Sequence, residues 1–541
     1  MRSQLLFGGV ASIGLVLAVA ACSGTDGTTG AAPGSDAGSS GSSGGKKPGS
    51  SSGNDDTDDP DDDPDDDKKD AGPKTEGLKS DTLAQGDQQL FAIAGEDAIY
   101  LEYGQTANTL YAVPIDGSGA PTKIADLGDA DDFSISGGAV AVWTNIDDVG
   151  FGTLGVWTRA TGMKSNIATA SGAGAFFEAS EDGSRIAFTQ NLALTAEEEL
   201  TSLEIGVRDT SAASNAATLQ GTTAAGNAFN FAALDCEPTM GFAGKVFFAQ
   251  FCPGTGADAT NAKLVTVAAD GTTVVRLDAA TNGAAGTLKA SPAFVASDDG
   301  TKVFVVRSQN SAGRFITVGG AAGGTALEND IAAGTMLPDG SAVIYRTAGN
   351  VLKKATTAAT PVVTTLAAAD ARGILGLSRD AKHVLFYKLD PESGNPLIDV
   401  SIVDHTAATP APVELVPTRA AYPLGLNGPS SHFVFLGDLT QTGASLKSMP
   451  ITGGAAKTLG DSVGALLAST GNGAVSVSNS KKAPDPNQFE IADITYYDTV
   501  SGKSSKIADS VPDGEIQAKG KRIVYSRFAP QGSGIYAVTL P

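Results

Sequence analysis

The chain has 541 residues, with 60 Asp and Glu against 37 Lys and Arg and a formal net charge of −23. An acidic balance of this size sets aside nucleic-acid partners, which need clustered cationic side chains to neutralise phosphates. Three cysteines occur in the whole chain, Cys22, Cys236 and Cys252, too few and too widely spaced for a cysteine metal site.

The N-terminus reads as an export signal over residues 1–21. Arg2 supplies a positive start, Leu5 to Ala18 form a short apolar core, and Val19, Ala20 and Ala21 place small residues directly before Cys22. The core is too short and poorly flanked for a stable membrane span. This arrangement resembles the bacterial lipobox. The resemblance implies that Cys22 is acylated and begins the mature chain, and several acyl chains make a durable anchor. Ser23 follows the anchor where an Asp would favour inner-membrane retention, so the resemblance implies an outer-membrane envelope location.

Residues 22–76 read as a tether. Gly, Ser, Thr, Ala and Pro dominate first, followed by an acidic run from Asp55 to Asp70 broken by Pro60 and Pro64. Such a composition buries too little apolar surface to offset chain entropy, and like charges extend the chain. A calcium loop would need a glycine at its sharp turn and a closing glutamate, and the acidic run has neither.

From residue 77 to 541 the pattern is all-β and repetitive. Short runs rich in Val, Ile, Phe and Tyr alternate with Gly, Asp, Asn and Ser turns. The best helix candidate is Leu192 to Leu200. Hairpins recur around Ser180-Glu181-Asp182-Gly183, Ser297-Asp298-Asp299-Gly300 and Leu337-Pro338-Asp339-Gly340, with a weaker copy at Ser378-Arg379-Asp380-Ala381. Each leads into an apolar strand, and Asp-Gly supports the positive φ of a tight antiparallel turn. These units resemble the TolB-type, WD40-like repeats of β-propellers, and the resemblance implies four-stranded blades.

About ten units can be aligned, with second strands centred on Ile99, Val140, Ile186, Phe247, Phe304, Ile344, Leu385, Val434, Val475 and Val524. Eight blades in one ring, or two fused propellers, are the alternatives, because four to eight blades are usual. The last unit lacks its fourth strand, and Lys79 to Ala84 has the matching pattern. The N-terminal segment is therefore expected to close the C-terminal blade.

Chemistry-bearing residues are sparse. The first strands, expected to line the axis, are small and apolar, with Glu178 and Glu515 isolated among them. His383, His405 and His432 lie far apart in sequence; His383 and His432 could be related by one blade step, but turn positions without a shared ligand are the simpler reading. Trp143, Trp157, Tyr100, Tyr103 and Tyr111 could form a binding patch, although packing between blades is the commoner use of such side chains. No catalytic, cofactor or metal residues are assigned, and no Gly-x-Ser-x-Gly elbow followed by Asp and His on an α/β segment is found. Cys236 and Cys252 are expected to form a disulfide, as an exported chain meets an oxidising compartment.

The expected function is a membrane-tethered envelope lipoprotein whose propeller binds protein partners or acts as a scaffold, and not an enzyme. The alternative is a propeller hydrolase or lyase acting on a periplasmic or extracellular polymer.

Overall fold

In a computed structural model of the chain, the described residues are 78–541 apart from 105, 173–175, 197–199, 223–228, 231–238, 252–260, 269–273, 277–287, 290–293, 307–312, 319–323, 389–397, 441–442, 464, 471–472, 483–489, 513 and 529–531. They form a β-propeller of ten four-stranded antiparallel blades in one ring. The eight-bladed and two-propeller alternatives are thereby set aside.

The four strands of each blade are lettered a to d in order from the axis outward. Strand a is, blade by blade, Gln88–Ala94, Asp132–Ser136, Phe177–Ala179, Thr239–Ala243, Phe294–Ala296, Ile331–Met336, Gly373–Leu377, the second half of Val413–Leu426, Ala465–Thr470 and Ile516–Lys519. Strand b is Asp97–Glu102, Ala139–Thr144, Arg185–Leu194, Val246–Phe251, Lys302–Val306, Ala342–Thr347, His383–Tyr387, His432–Thr440, Gly473–Lys482 and Arg522–Arg527. All ten expected strand centres fall inside these b strands. Of the helix candidate Leu192 to Leu200, residues 192–194 and 200 instead belong to two long antiparallel strands, Arg185–Leu194 and Leu200–Asp209, and 197–199 lie outside the described residues. Cross-strand pairing there outweighs the local helical preference of a short segment.

Blades seven and eight share one continuous strand. Val413, Glu414 and Val416 of Val413–Leu426 pair with blade seven, while Tyr422, Pro423, Gly425 and Leu426 pair with blade eight. The backbone stays extended between the two blades, so strand d of one runs directly into strand a of the next.

Strand b is sandwiched between the neighbouring blades, which explains why it reads as an unbroken apolar run. Ala139, Val140, Ala141, Val142 and Trp143 are all fully buried. The core is accordingly a series of interblade layers. One holds Ile99 and Leu110 of blade one against Val140, Val142 and Trp157 of blade two. The next sets Trp143 of blade two against Phe177 and Phe188 of blade three.

The ring closes as the sequence implies. The strand Ser80–Gln85 pairs antiparallel with Gly534–Thr539, with Ser80 opposite Val538 and Gln85 opposite Gly534. It becomes strand d of the tenth blade, whose order is completed by Arg522–Arg527 and Ile516–Lys519. The Tyr525 hydroxyl donates to Ser80 Oγ at 2.8 Å across this blade.

Candidate binding cleft at the ring seam

The a–b turns occupy one end of the ring and are built by a recurrent side-chain device. In the turns beginning at Ser180, Ser297 and Ser378, the serine hydroxyl donates to the aspartate two residues on, at 2.7, 2.7 and 2.5 Å. The same hydroxyl accepts the backbone N–H of Arg185, Lys302 or His383 as the next strand begins. In blade eight, Asn427 does the equivalent work, its Oδ1 accepting from the N–H groups of Ser431 and His432. The aspartates of the Asp-Gly turns therefore have structural partners.

The opposite end, where strands a begin and strands b end, carries the candidate site. Gln88 pairs with Glu102, which places Tyr103 beside the start of strand a in blade one. In blade ten the Ser526 N–H donates to the Glu515 carbonyl, bringing Glu515 beside Arg527 and Phe528. Ile491 pairs with Pro512 at the same end of blade nine. A cleft forms among these three blades, lined by Gln88, Gln89, Tyr103, Glu515, Arg527 and Phe528.

The cleft is polar at its base and aromatic at its rim. The Leu90 N–H of blade one donates to Ser526 Oγ at 3.0 Å and lies 3.4 Å from Glu515 Oε2. Glu515 is 8% exposed. Burial pushes its carboxyl above the usual range, and hydrogen bonds from Ser526 and Leu90 offset this only in part. Arg527 is held by Asp509, with a closest separation of 2.8 Å. The Tyr103 hydroxyl donates to Gln89 Oε1. Burial and then the charge of Glu515 raise the Tyr103 phenol above its ordinary pKa. Tyr103 and Phe528 are nevertheless 55% and 37% exposed, and they are the exposed large aromatic side chains among the described residues.

The remaining candidates have structural positions. Trp143 is fully buried, with Nε1 donating to Ser171 Oγ at 3.0 Å, and Trp157 is buried in the layer between blades one and two. Tyr100 stacks on Tyr111 with ring centroids 5.5 Å apart. Glu178 accepts from the Ser136 hydroxyl of the neighbouring blade at 2.7 Å, and burial raises its carboxyl.

His383 and His405 belong to one blade: His383 pairs with Asp404, and the His405 ring nitrogen Nε2 contacts the Ala381 carbonyl. His432, a blade further on, sits with Nδ1 3.0 Å from Ser431 Oγ, and burial lowers its pKa. Among the described residues, no three His, Cys, Asp or Glu side chains gather as metal ligands. Cys22, Cys236 and Cys252 lie outside the described residues.

Sequence reasoning singled out Tyr103 and Glu515 separately and missed Gln88, Gln89, Arg527 and Phe528. The usable signal was the closure itself. Once the first and last blades are adjacent, the ends of their strands share one end of the ring.

No family model and no curated protein matches the chain. Solved structures match the chain at low similarity. A eukaryotic initiation factor is 14% identical, with a TM-score of 0.37 over 71% of this chain and 90% of that one. A prolyl endopeptidase structure is 12% identical, with a TM-score of 0.33 over 69% and 55%. A TolB-like protein of Agrobacterium tumefaciens is 12% identical, with a TM-score of 0.24 over 46% and 90%. The tricorn protease and a puromycin-hydrolysing peptidase of Mycobacterium tuberculosis also match, and the chain spans about half the length of each of the three peptidases. The expectation that this chain is not an enzyme is corrected: the solved structures it is distantly similar to include these peptidases, and a propeller fold by itself does not exclude catalysis.

Proposed function

We propose that this protein is a lipid-anchored component of a bacterial cell envelope, on the outer membrane, whose propeller binds a protein partner at the seam cleft. Cys22 carries the lipid, residues 22–76 act as the tether, and a Cys236–Cys252 disulfide braces blade four. The observation that carries the binding reading is the placement of Tyr103 and Phe528. Nearly all large aromatic side chains of the described propeller are packed away, whereas these two are exposed in one cleft. Partly exposed aromatics beside polar groups are the usual anchors of protein interfaces. The Cys236–Cys252 pairing is supported by the hairpin between them, in which Thr239 faces Gln250.

Cross-linked co-purification of the full-length protein from envelope fractions tests the reading. Tyr103→Ala combined with Phe528→Ala is expected to lose the proteins that the unaltered chain retains; retention of the same set rejects the cleft as the interface. Cys22→Ala is expected to release the protein from membranes, and persistence on membranes after a high-salt wash rejects the anchor. Two free thiols in denatured, unreduced mature protein would reject the disulfide.

A further inference from the structure

The charge around the seam cleft is lopsided. Asp87 and Glu515 both line it, and Arg527, the one cation among its described lining residues, is already engaged by Asp509. Glu515 is more than nine-tenths buried yet reaches the cleft. The amide oxygen of Gln88, another lining residue, is buried with no hydrogen-bond partner. Tyr103 and Phe528, whose rings are exposed, line the same cleft. A buried carboxylate, excess negative charge and exposed aromatic faces together call for a flat, multiply donating cation. A guanidinium meets all three demands: it is planar, stacks on aromatic faces and carries five N–H donors, whereas an ammonium is a compact, strongly hydrated point charge.

We propose that the seam cleft receives the side chain of an arginine presented by the partner protein, with Glu515 as its counter-ion and Tyr103 and Phe528 flanking its plane. This rests on the protein-binding reading above and specifies the group recognised. The raised carboxyl of Glu515 fits the assignment, because burial opposes its ionisation while Arg527 is engaged by Asp509, and an arriving guanidinium would reverse that opposition.

Calorimetric titration of the full-length protein in detergent with N-acetyl-arginine methylamide tests the proposal, using the citrulline and lysine counterparts as comparisons. Saturable binding of the arginine compound is expected, with the neutral, nearly isosteric citrulline compound about tenfold weaker because the charge-assisted bond is lost. Glu515→Gln is expected to weaken arginine binding by about tenfold, and Phe528→Ala by about threefold. Phe528 is exposed enough to be truncated without emptying the core, so its variant keeps the test valid if Glu515→Gln unfolds.

Equal binding of the arginine and citrulline compounds, undiminished binding by both variants, or no saturation with the arginine compound would overturn the proposal. Equal affinity for the lysine compound would overturn the choice of arginine. Arginine binding without any envelope partner would leave this site standing while the protein-binding reading falls. Partner loss in the double alanine variant without arginine binding would do the reverse.

Discussion

At the scale of single residues, the a–b turns are where a small change should be felt most. Gly183 has a φ of 66°, and a Cβ placed there would lie 2.3 Å from the Gly138 carbonyl oxygen of the neighbouring blade. Backbone cannot yield as a flexible side chain can, so Gly183→Ala combines left-handed strain with a clash. It should destabilise the propeller by at least ~2 kcal/mol in denaturant titration. The Asp97–Arg159 pair is asymmetric: Asp97 is 1% exposed and Arg159 is 54% exposed. Arg159→Ala strands a buried carboxylate, whereas Asp97→Asn leaves a guanidinium that water can solvate. Arg159→Ala should therefore be the more destabilising, by about 1–3 kcal/mol.

The turn aspartates also set a pH response. Hydrogen bonds from Ser297 and Thr301 hold the Asp299 carboxyl below its usual range, and the Ser378 hydroxyl does the same for Asp380. A carboxyl depressed in the folded state contributes stability above its unfolded pKa of about 3.9, and that contribution disappears as pH falls through the folded value. Asp299→Asn should thus be less stable than the unaltered chain at neutral pH, and the gap should narrow below about pH 4. A gap independent of pH would contradict this role.

At the scale of elements, legibility followed the range of the interaction. Strand b was readable because burial on both faces leaves a local apolar run, as at Ala139 to Trp143. The Ser-x-Asp-Gly turns were readable because their hydrogen bonds join residues two to five apart. The fused strand Val413–Leu426 was not: an extended connection and a break between blades look alike in sequence. The seam cleft was illegible for a different reason, since Gln88 and Glu515 meet only through ring closure. Strand Ser80–Gln85 was legible through a deficit, the missing fourth strand of the last blade. Its Leu83 and Ala84 pack with Tyr100, Val113 and Ile535 between blades ten and one. Deleting 77–86 should cost at least ~2 kcal/mol, about the burial of one leucine, and lower the melting temperature. Deleting 30–70 should leave the melting temperature unchanged.

At the scale of the whole molecule, the two chain ends meet in one blade, and the cleft stands immediately beside that junction. Gln88 and Gln89 follow Ser80–Gln85 after a two-residue turn, while Glu515 and Phe528 flank strands a and b of the blade that segment completes. Closure of the ring and construction of the cleft are therefore one event, linked by the Leu90 N–H reaching Ser526 and by Gln517 Nε2 donating to the Phe91 carbonyl at 3.2 Å. Amide hydrogen exchange along Gly534–Thr539 tests this most directly, comparing the full chain with the 77–86 deletion. The amides that bond to the N-terminal strand should exchange slowly in the full chain and fast in the deletion, with Arg522–Arg527 remaining the more protected strand in both. Fast exchange along the whole of Gly534–Thr539 in the full chain, or equally slow exchange in both proteins, would contradict a ring sealed by its N-terminal strand.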